Sequence, residues 1–283
     1  MRRAIPLLAL VCLLAGGCSA WRTFFPSHSY ETEPPELPAN LGAPALLVFT
    51  KTNGFRHEEA IPAGLALLEE IAAEKGWSLF HTENGAAFTP EILSRFAVTV
   101  WHNTSGDTLN PDQKQHLREW LEQGGGFVGL HGAGGDPSYD WAWYVEELIG
   151  AQFIGHTMGP QFQDATAVVE DRTHPATRDL PERFVHHEEW YSFDRSVRER
   201  GFDVLVRVDE SSYSPELHLL WMDEDLRMGD DHPVVWSRCL GRGRTLFSAL
   251  GHLAAAYQRP EMKSLLGGAL SWAIGAEGPA CDG

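Results

Sequence analysis

The sequence is short of positive charge and of cysteine, and each shortage excludes a class of function. It has 22 lysines and arginines against 39 aspartates and glutamates, which gives a formal net charge of −17. Nucleic acids and anionic membrane surfaces repel such a chain, so we expect neither as a partner. The four cysteines have no spacing typical of a metal site. A neutral small molecule is compatible with this composition.

Several catalytic motifs are also missing. The sequence has no Gly-x-Ser-x-Gly or Gly-x-Cys-x-Gly elbow, no phosphate-binding loop and no dinucleotide fingerprint. Where a nucleophile elbow would stand, residues 129–132 read Gly-Leu-His-Gly. There is no contiguous HExxH motif, so any metal site must be assembled from distant segments.

The first 43 residues differ in character from the rest. Two arginines precede a short apolar run over residues 5–15, which predicts a signal peptide over residues 1–18. Residues 14–18 (LAGGC) resemble a bacterial lipobox, which predicts cleavage before Cys18 and lipidation of its thiol. Cleavage by ordinary signal peptidase and an uncleaved anchor are the alternatives. Residues 19–43 are rich in proline, and we expect an extended tether. The protein would then be lipid-anchored in the bacterial cell envelope, facing the periplasm.

Residues 44–275 have the pattern of one large α/β domain. In the first half, apolar runs that predict buried strands alternate with helical patterns, which favours a parallel sheet. The predicted strands of this half cover residues 45–49, 77–80, 96–101 and 127–130, with helices over 58–75 and from Pro111 onward. Later strands, at 165–169, 204–208, 234–236 and 244–248, have few helices between them, and a short helix (141–149) and a closing helix (260–274) complete the pattern. We therefore expect a flavodoxin-like sheet with an antiparallel extension, followed by a tail over residues 276–283.

Two cysteines lie in or just after this domain. We expect Cys239 to be buried and Cys281 to be a free thiol in the tail. A disulfide between them, formed in an oxidising periplasm, is the alternative.

Two predicted strands end in a glycine-framed turn that carries a histidine, at His131 and at His252. Ligands of open α/β sheets bind at the carboxyl ends of the strands. His131 is therefore a candidate acid or base, and His131 with His252 is a candidate pair of ligands for a divalent metal such as zinc. The alternative is a buried histidine that satisfies a tight turn.

Polar loops follow the other predicted strands of the parallel half. Arg56 and His57 come after the first strand, and Asn103 comes after the third. Arg56 and Asn103 could orient sugar hydroxyls, and His57 could bind a ligand oxygen or a metal. A surface ion pair for Arg56 and a helix-start role for His57 are the alternatives. His156 lies in an irregular, glycine-flanked segment and is a further candidate ligand contact.

The densest polar cluster covers residues 186–191 (HHEEWY). In an extended segment, alternate residues point the same way, so we expect His187 and Glu189 to face one site. Glu189 is a candidate catalytic carboxylate and partner of His131. Trp190 and Tyr191 could stack on a sugar ring. An aromatic core with solvated carboxylates is the alternative.

Taken in order, these segments resemble the ThuA-like (trehalose utilisation) family. The resemblance covers roughly residues 45–275 and rests on residues 48–57 (VFTKTNGFRH), 103–107 (NTSGD), 124–131 (GGGFVGLH), 139–144 (YDWAWY), 188–191 (EEWY) and 249–252 (ALGH). It implies a class I glutamine-amidotransferase-like fold in which His131 stands at the position of the nucleophilic cysteine, so the chain would not be an active amidotransferase. The acidic pair is usually Asp-Glu in this family, whereas here it is Glu188-Glu189.

The resemblance implies a role in the utilisation of trehalose or a related glycoside or keto-sugar. We therefore expect an envelope-anchored protein that binds a small sugar at the carboxyl edge of its sheet and meets the membrane only through its lipid. A non-catalytic sugar-binding lipoprotein and a metal-dependent hydrolase of unknown substrate are the alternatives.

Overall fold

The computed structural model describes residue 22, residues 25–137 and residues 139–282. The predicted signal peptide and Cys18 lie outside these residues. Within the described part of the chain, none of the helices combines the length and the apolar character needed to span a membrane.

Strands and helices alternate through the first half of the domain, as predicted. The elements are β1 (Ala45–Phe49), α1 (Ala60–Lys75), β2 (Ser78–Thr82), α2 (Pro90–Leu93), β3 (Val98–His102), α3 (Pro111–Glu122) and β4 (Gly126–Leu130). β1 pairs in parallel with both β2 and β3, and β3 pairs in parallel with β4. Every residue of β1, β3 and β4 is buried, which is why these strands are continuous apolar runs rather than alternating patterns.

Local signals set the helix boundaries. Asn110 accepts a hydrogen bond from the backbone N–H of Gln113, and the Gln113 side chain accepts one from the backbone N–H of Asn110. This reciprocal capping box starts α3. α1 ends at Gly76, whose φ of 70° is the left-handed conformation that favours glycine. Both boundaries are confirmed as predicted.

The second half of the domain is mainly antiparallel. Its elements are β5 (Phe153–His156), β6 (Gln163–Val169), β7 (Arg183–Glu188), β8 (Tyr191–Phe193), β9 (Asp203–Asp209), β10 (Glu216–Leu219), β11 (Met222–Asp225), β12 (Pro233–Leu240), β13 (Gly243–Ser248) and α4 (Pro260–Ala273). A π-helix at Tyr144–Ile149 stands where a short helix was expected. Short 3-10 helices lie at Gly85–Ala87, His131–Gly134, Val197–Arg200, Glu210–Ser212 and Ala254–Gln258.

The main sheet has nine strands in the order β2-β1-β3-β4-β13-β12-β9-β6-β7. β13 runs parallel to β4, and from β13 outward each pair is antiparallel. The β12–β13 hairpin turns at Gly241-Arg242. β5 with β8 and β10 with β11 form two small sheets. The predicted parallel sheet with an antiparallel extension is thus confirmed.

The described part of the proline-rich segment lies against the domain, although we expected it to be a tether. The buried ammonium of Lys51 donates to Glu31 at 2.6 Å. Tyr30 donates to Asp107 at 2.7 Å, and Ser27 donates to Asn53 at 2.8 Å. These partners belong to the loops after β1 and β3, so the docked segment, residues 27–31, covers part of the carboxyl edge of the sheet.

Cys239 and Cys281 form a disulfide, which corrects the expectation of a free thiol. Cys239 is exposed and Cys281 is buried, the reverse of what we expected. The two residues are 42 positions apart in the chain, and their Cα atoms come within 5.5 Å only because the tail returns to β12. The tail is therefore fastened to the domain.

Candidate functional site

The candidate site lies where the parallel strands end. β1, β3, β4 and β13 are parallel neighbours, so their carboxyl ends share one edge of the sheet. His57 follows β1 and precedes α1, His131 follows β4, and His252 follows β13. Glu189 comes from the link between β7 and β8. Four side chains that are far apart in the sequence therefore meet at this edge.

His131 occupies a sharp turn. Its φ is 45°, a conformation that non-glycine residues seldom adopt, and it opens a 3-10 helix. A Cβ at Gly134 would lie 2.5 Å from the ring of Phe247, so the turn requires glycine there. The Nδ1 atom of His131 lies 2.7 Å from the carbonyl oxygen of Ala249. A carbonyl only accepts, so Nδ1 carries a proton, and Nε2 of the neutral ring keeps its lone pair.

His57, His131, Glu189 and His252 form what we call the histidine–glutamate cluster. One donor atom from each residue lies within 4.8 Å of the others. Glu189 Oε2 is 2.9 Å from His252 Nδ1 and 3.6 Å from His131 Nε2, and these two nitrogens are 3.1 Å apart. The ring of His57 is 4.9 Å from that of His131 and 4.6 Å from that of His252. Three imidazoles and a carboxylate are a donor set that transition metals accept.

Burial and charge set the protonation of the cluster. Burial alone would raise the pKa of Glu189, but the neighbouring His131 and His252 hold it well below its usual value. Burial lowers the pKa of His252, but the hydrogen bond and the charge of Glu189 outweigh it, so the pKa is raised. Burial, with the neighbouring His131 and His252, lowers the pKa of His57 well below normal. The cluster thus favours an ionised carboxylate, a protonated His252 and a neutral His57.

The neighbouring Glu188 has a different role. It is fully buried, and its carboxylate accepts hydrogen bonds from the backbone N–H groups of Gly251 at 2.7 Å, Glu189 at 2.9 Å and His252 at 3.2 Å. Burial would raise its pKa, but His186, His131 and the backbone N–H of Gly251 lower it. Glu188 therefore holds the backbone of two cluster residues in place.

A cavity of about 310 Å³ opens beside the cluster. It is lined by His57, Glu189 and His252, by the rings of Phe55, Phe153 and Tyr191, and by the polar side chains of Ser105, His156 and Gln161. A larger open groove of about 510 Å³ lies between α1 and the start of α4, but no cluster residue lines it. We take the smaller cavity as the candidate site because the titratable groups with displaced pKa values converge there.

Three contacts connect the cluster with the cavity wall. Gln161 Nε2 donates to Glu189 Oε1 at 2.5 Å, and His156 Nδ1 lies 3.2 Å from the same oxygen. The hydroxyl of Tyr191 donates to His131 Nε2 at 2.8 Å. His131 is fully buried and does not itself line the cavity, so it reaches a bound molecule through Tyr191 and the cluster.

The structure brings most of the predicted site residues together: His57, His131, His156, Glu189, Tyr191 and His252. Arg56 lies apart from the cavity lining, in ion pairs with Glu58 and Glu83. Arg56 therefore fits the alternative interpretation given above, a surface ion pair.

Three expectations need correction. Asn103 is buried and uses its amide for the backbone, donating to Gly251 and accepting from Gly132, so it positions loops rather than hydroxyls. Trp190 is a core residue whose indole donates to the carbonyl of Gln163, and it offers no face to a sugar. His187 is exposed and pairs with Asp164, away from Glu189. β7 ends at Glu188, so the alternation that should align His187 with Glu189 stops before Glu189.

Sequence reasoning missed several wall residues. Gln161 lies in the same irregular segment as His156, so this segment could have been considered as a whole. Phe55 precedes His57 by two positions and could have been found in the same way. Phe153 shows no distinguishing pattern, because a single aromatic residue in a short strand usually belongs to the core.

The order of the parallel strands, and the sharp turn that holds His131 after β4, define an α/β protein of the class I glutamine-amidotransferase-like fold. The chain matches the family model ThuA, described as trehalose utilisation, over residues 45–273. It therefore belongs to the ThuA family, and membership supports a role related to trehalose utilisation.

Solved structures agree with this fold. A ThuA-like protein from Bacteroides uniformis superposes with a TM-score of 0.69 at 23% identity, covering 85% of this chain and 95% of that chain. A second ThuA-like protein, from Parabacteroides merdae, superposes with a TM-score of 0.58 at 18% identity, covering 82% and 90%. A chain of PurLQS from Thermotoga maritima gives a TM-score of 0.50 at 12% identity, covering 81% and 98%. No curated protein matches the sequence.

Proposed function

We propose that this protein binds trehalose, or a related glycoside or keto-sugar, in the cavity beside the histidine–glutamate cluster, and acts on it there. The observation that carries the proposal is Glu189, a buried carboxylate that lines the cavity and is surrounded by three histidines. Together with membership of the trehalose utilisation family, this supports a carbohydrate-active site.

The size and lining of the cavity suit a small sugar. Its volume of about 310 Å³ is at the lower end of the range of about 300–1,000 Å³ for small-molecule sites. The rings of Phe55, Phe153 and Tyr191 can pack against the C–H faces of a sugar. His156 and Gln161 can exchange hydrogen bonds with its hydroxyls.

The cluster can move a proton to or from such a ligand. Glu189 and His252 form a carboxylate–imidazolium pair at 2.9 Å on the cavity wall, and His252 can donate from it. Nε2 of His131 accepts from the Tyr191 hydroxyl, which makes Tyr191 the link between this base and a ligand hydroxyl. His131 would therefore act as the base, and Glu189 would be the carboxylate partner that keeps His252 protonated as the acid.

The cellular place of the protein is part of the proposal. The basic and apolar start of the sequence and the lipobox-like residues 14–18 support a lipoprotein anchored through Cys18 and facing the periplasm. Metabolic labelling with a palmitate analogue should mark the wild-type protein and leave Cys18→Ala unmarked. Labelling of both forms, or of neither, would contradict the anchor.

Calorimetry tests the sugar site directly. A chain that begins at residue 19 keeps the docked segment and should release heat with trehalose or a 3-keto-glycoside. Gln161→Leu should weaken binding, because it removes a polar wall group, whereas the exposed His187→Ala should bind like wild type. The absence of heat across a panel of disaccharides and keto-glycosides would refute the proposed function.

A further inference from the structure

We propose that His57, His131, Glu189 and His252 together bind one divalent transition-metal ion, with zinc as the expected occupant. The inference concerns the pocket of the proposed function, but it rests on the arrangement of the donor atoms and not on the identity of the sugar.

The donor atoms already have the spacing of ligands around a common ion. At metal–ligand distances of about 2.0–2.2 Å, two ligands of a tetrahedral ion lie about 3.3 Å apart. Around Glu189 Oε2, His131 Nε2 and His252 Nδ1, the three separations are 2.9, 3.1 and 3.6 Å. With His57 included, one donor atom from each of the four residues lies within 4.8 Å of the others. A small movement of His57 would bring four ligands onto one centre.

Outer contacts prepare these ligands for a metal. Metal-binding histidines usually donate their second ring N–H to a carbonyl or a carboxylate, which fixes the tautomer. His131 does this: its Nδ1 donates to Ala249, which leaves the Nε2 lone pair directed into the cluster. Glu188 fixes the backbone of Glu189 and His252 through their N–H groups. Gln161 holds the second oxygen of Glu189, so that Oε2 remains for the ion.

His57 supplies a second, independent indication. It is 7% exposed, and its Nδ1 is buried with no hydrogen-bond partner in the described part of the chain. Buried polar atoms are almost always satisfied in folded proteins. The His57 ring also lies 4.9 Å from that of His131 and 4.6 Å from that of His252, so a buried imidazole with an unpaired nitrogen stands beside the other ligands.

Two adjustments accompany metal binding. The Tyr191 hydroxyl now donates to the lone pair of His131 Nε2, and it must release that atom when the ion binds. The proton shared by His252 Nδ1 and Glu189 must also leave, because a nitrogen that ligates a metal cannot carry a proton. When the ion is present, these residues act as ligands, and the ion supplies the Lewis acidity of the pocket.

The donor set selects the class of metal. Imidazole nitrogens suit zinc and its transition-metal neighbours, whereas calcium and magnesium prefer sites made of oxygen. His57, Glu189 and His252 also line the cavity, so a hydroxyl or keto oxygen of a bound molecule can approach the ion. The proposed ligand class is therefore a divalent transition metal with a sugar oxygen beside it.

The experiment measures metal directly, without activity. The chain from residue 19, purified with a tag that contains no histidine, is stripped with a chelator and titrated with zinc. We expect one ion per chain. His252→Ala and Glu189→Gln should weaken binding at least about 100-fold, because even outer-shell partners of metal ligands contribute 10- to 100-fold. His187→Ala, which removes an exposed histidine, should leave the affinity unchanged, and Tyr191→Phe should leave it unchanged or tighten it.

A second measurement covers variants that fail to fold. Cobalt added to the stripped wild-type protein should give the visible absorption bands of a low-symmetry nitrogen–oxygen site, and one equivalent of zinc should abolish them. Absence of these bands, no stoichiometric zinc, or equal zinc binding by all variants would each overturn the inference. Stripped protein that binds sugar while the metal tests fail would refute only the metal site. Stoichiometric metal with no sugar binding would refute only the proposed function.

Discussion

Glu188 and Glu189 are adjacent buried carboxylates. Replacing Glu188 with glutamine should lower the stability of the fold, whereas replacing Glu189 with glutamine should abolish ligand binding and leave stability nearly unchanged. Glu188 binds only protein groups, whereas Glu189 lines the cavity. Glutamine has nearly the same shape as glutamate, so each exchange tests charge and hydrogen bonding with little change in packing.

The cost of Glu188→Gln follows from its three backbone donors. One carboxylate oxygen accepts from the N–H groups of Glu189 and His252, and an amide oxygen can replace it. The other oxygen accepts from Gly251 at 2.7 Å, and an amide NH2 there would face the Gly251 N–H. One buried donor left unpaired costs about 1–3 kcal/mol, and loss of charge weakens the remaining two bonds. We expect the free energy of unfolding to fall by about 3 kcal/mol.

Glu189→Gln should change stability little. Its amide oxygen can still accept from Gln161, and its NH2 group can donate to a neutral His252. The exchange also removes a buried charge, whose desolvation opposes folding. We expect the free energy of unfolding to change by less than about 1 kcal/mol, while binding of metal and sugar is lost.

Urea unfolding at pH 7, with zinc and sugar absent, measures both variants. The exposed Glu224→Gln is the control for the same exchange at the surface. The assignment of roles would be refuted if Glu188→Gln were as stable as wild type, or if Glu189→Gln were the less stable of the two.

Three further predictions concern stability. Reduction of the Cys239–Cys281 disulfide, which joins residues 42 positions apart, should lower the free energy of unfolding by about 4 kcal/mol on a chain-entropy estimate. Urea unfolding with and without reductant measures this change. The stability of the double alanine variant should not depend on the reductant. Gly64→Ala in α1 should destabilise by about 2 kcal/mol, although alanine is normally the better helix former, because the new Cβ would lie 2.3 Å from His102 Nε2. Gly267→Ala in α4, which meets open space, should instead stabilise by about 0.5–1 kcal/mol, so thermal midpoints that move the same way would contradict the reasoning. Burial lowers the pKa of His102 from 6.5 to about 4, so between these two pH values the unfolded chain binds a proton that the folded chain does not bind. The free energy of unfolding is therefore unaffected by this histidine above pH 6.5 and falls by up to about 3 kcal/mol as the pH falls toward 4. Unfolding of wild type and of the non-titrating His102→Gln should therefore converge in acid, and parallel pH profiles would contradict the shift.

The parallel half of the fold was predictable because its signals are local. The boundaries of β1 follow from its apolar run, because a strand that is buried on both faces is apolar at every position and can be recognised without knowing which strands it pairs with. The capping residue Asn110 and the stop at Gly76 each act within one helical turn. β10 and β11 escaped prediction because most of their residues are exposed, so they have no buried face to show in the sequence.

The sequence predicted which strand ends carry the site residues, but it did not predict how their side chains are arranged around the cavity. His131 and His252 could be placed at one edge because parallel strands share their carboxyl ends. The inward turn of Glu189 depends on where β7 stops, which pairing with β6 decides. Asn103 uses its side chain to bind backbone groups because two loops that are distant in sequence approach it, and the sequence does not show this approach. The disulfide and the docked segment likewise depend on contacts between residues distant in the chain, and such contacts produce no periodic pattern in the sequence.

The docked segment also limits where the protein can be. Ser27 is held against Asn53, four positions before His57, and Ser27 is nine positions after Cys18. Whatever path the intervening chain takes, it reaches no farther than about 30 Å when fully extended. On the proposal that Cys18 carries lipid, the edge of the sheet that holds the cavity is thus confined to a thin layer of periplasm at the membrane surface. A sugar would then meet this site close to the bilayer.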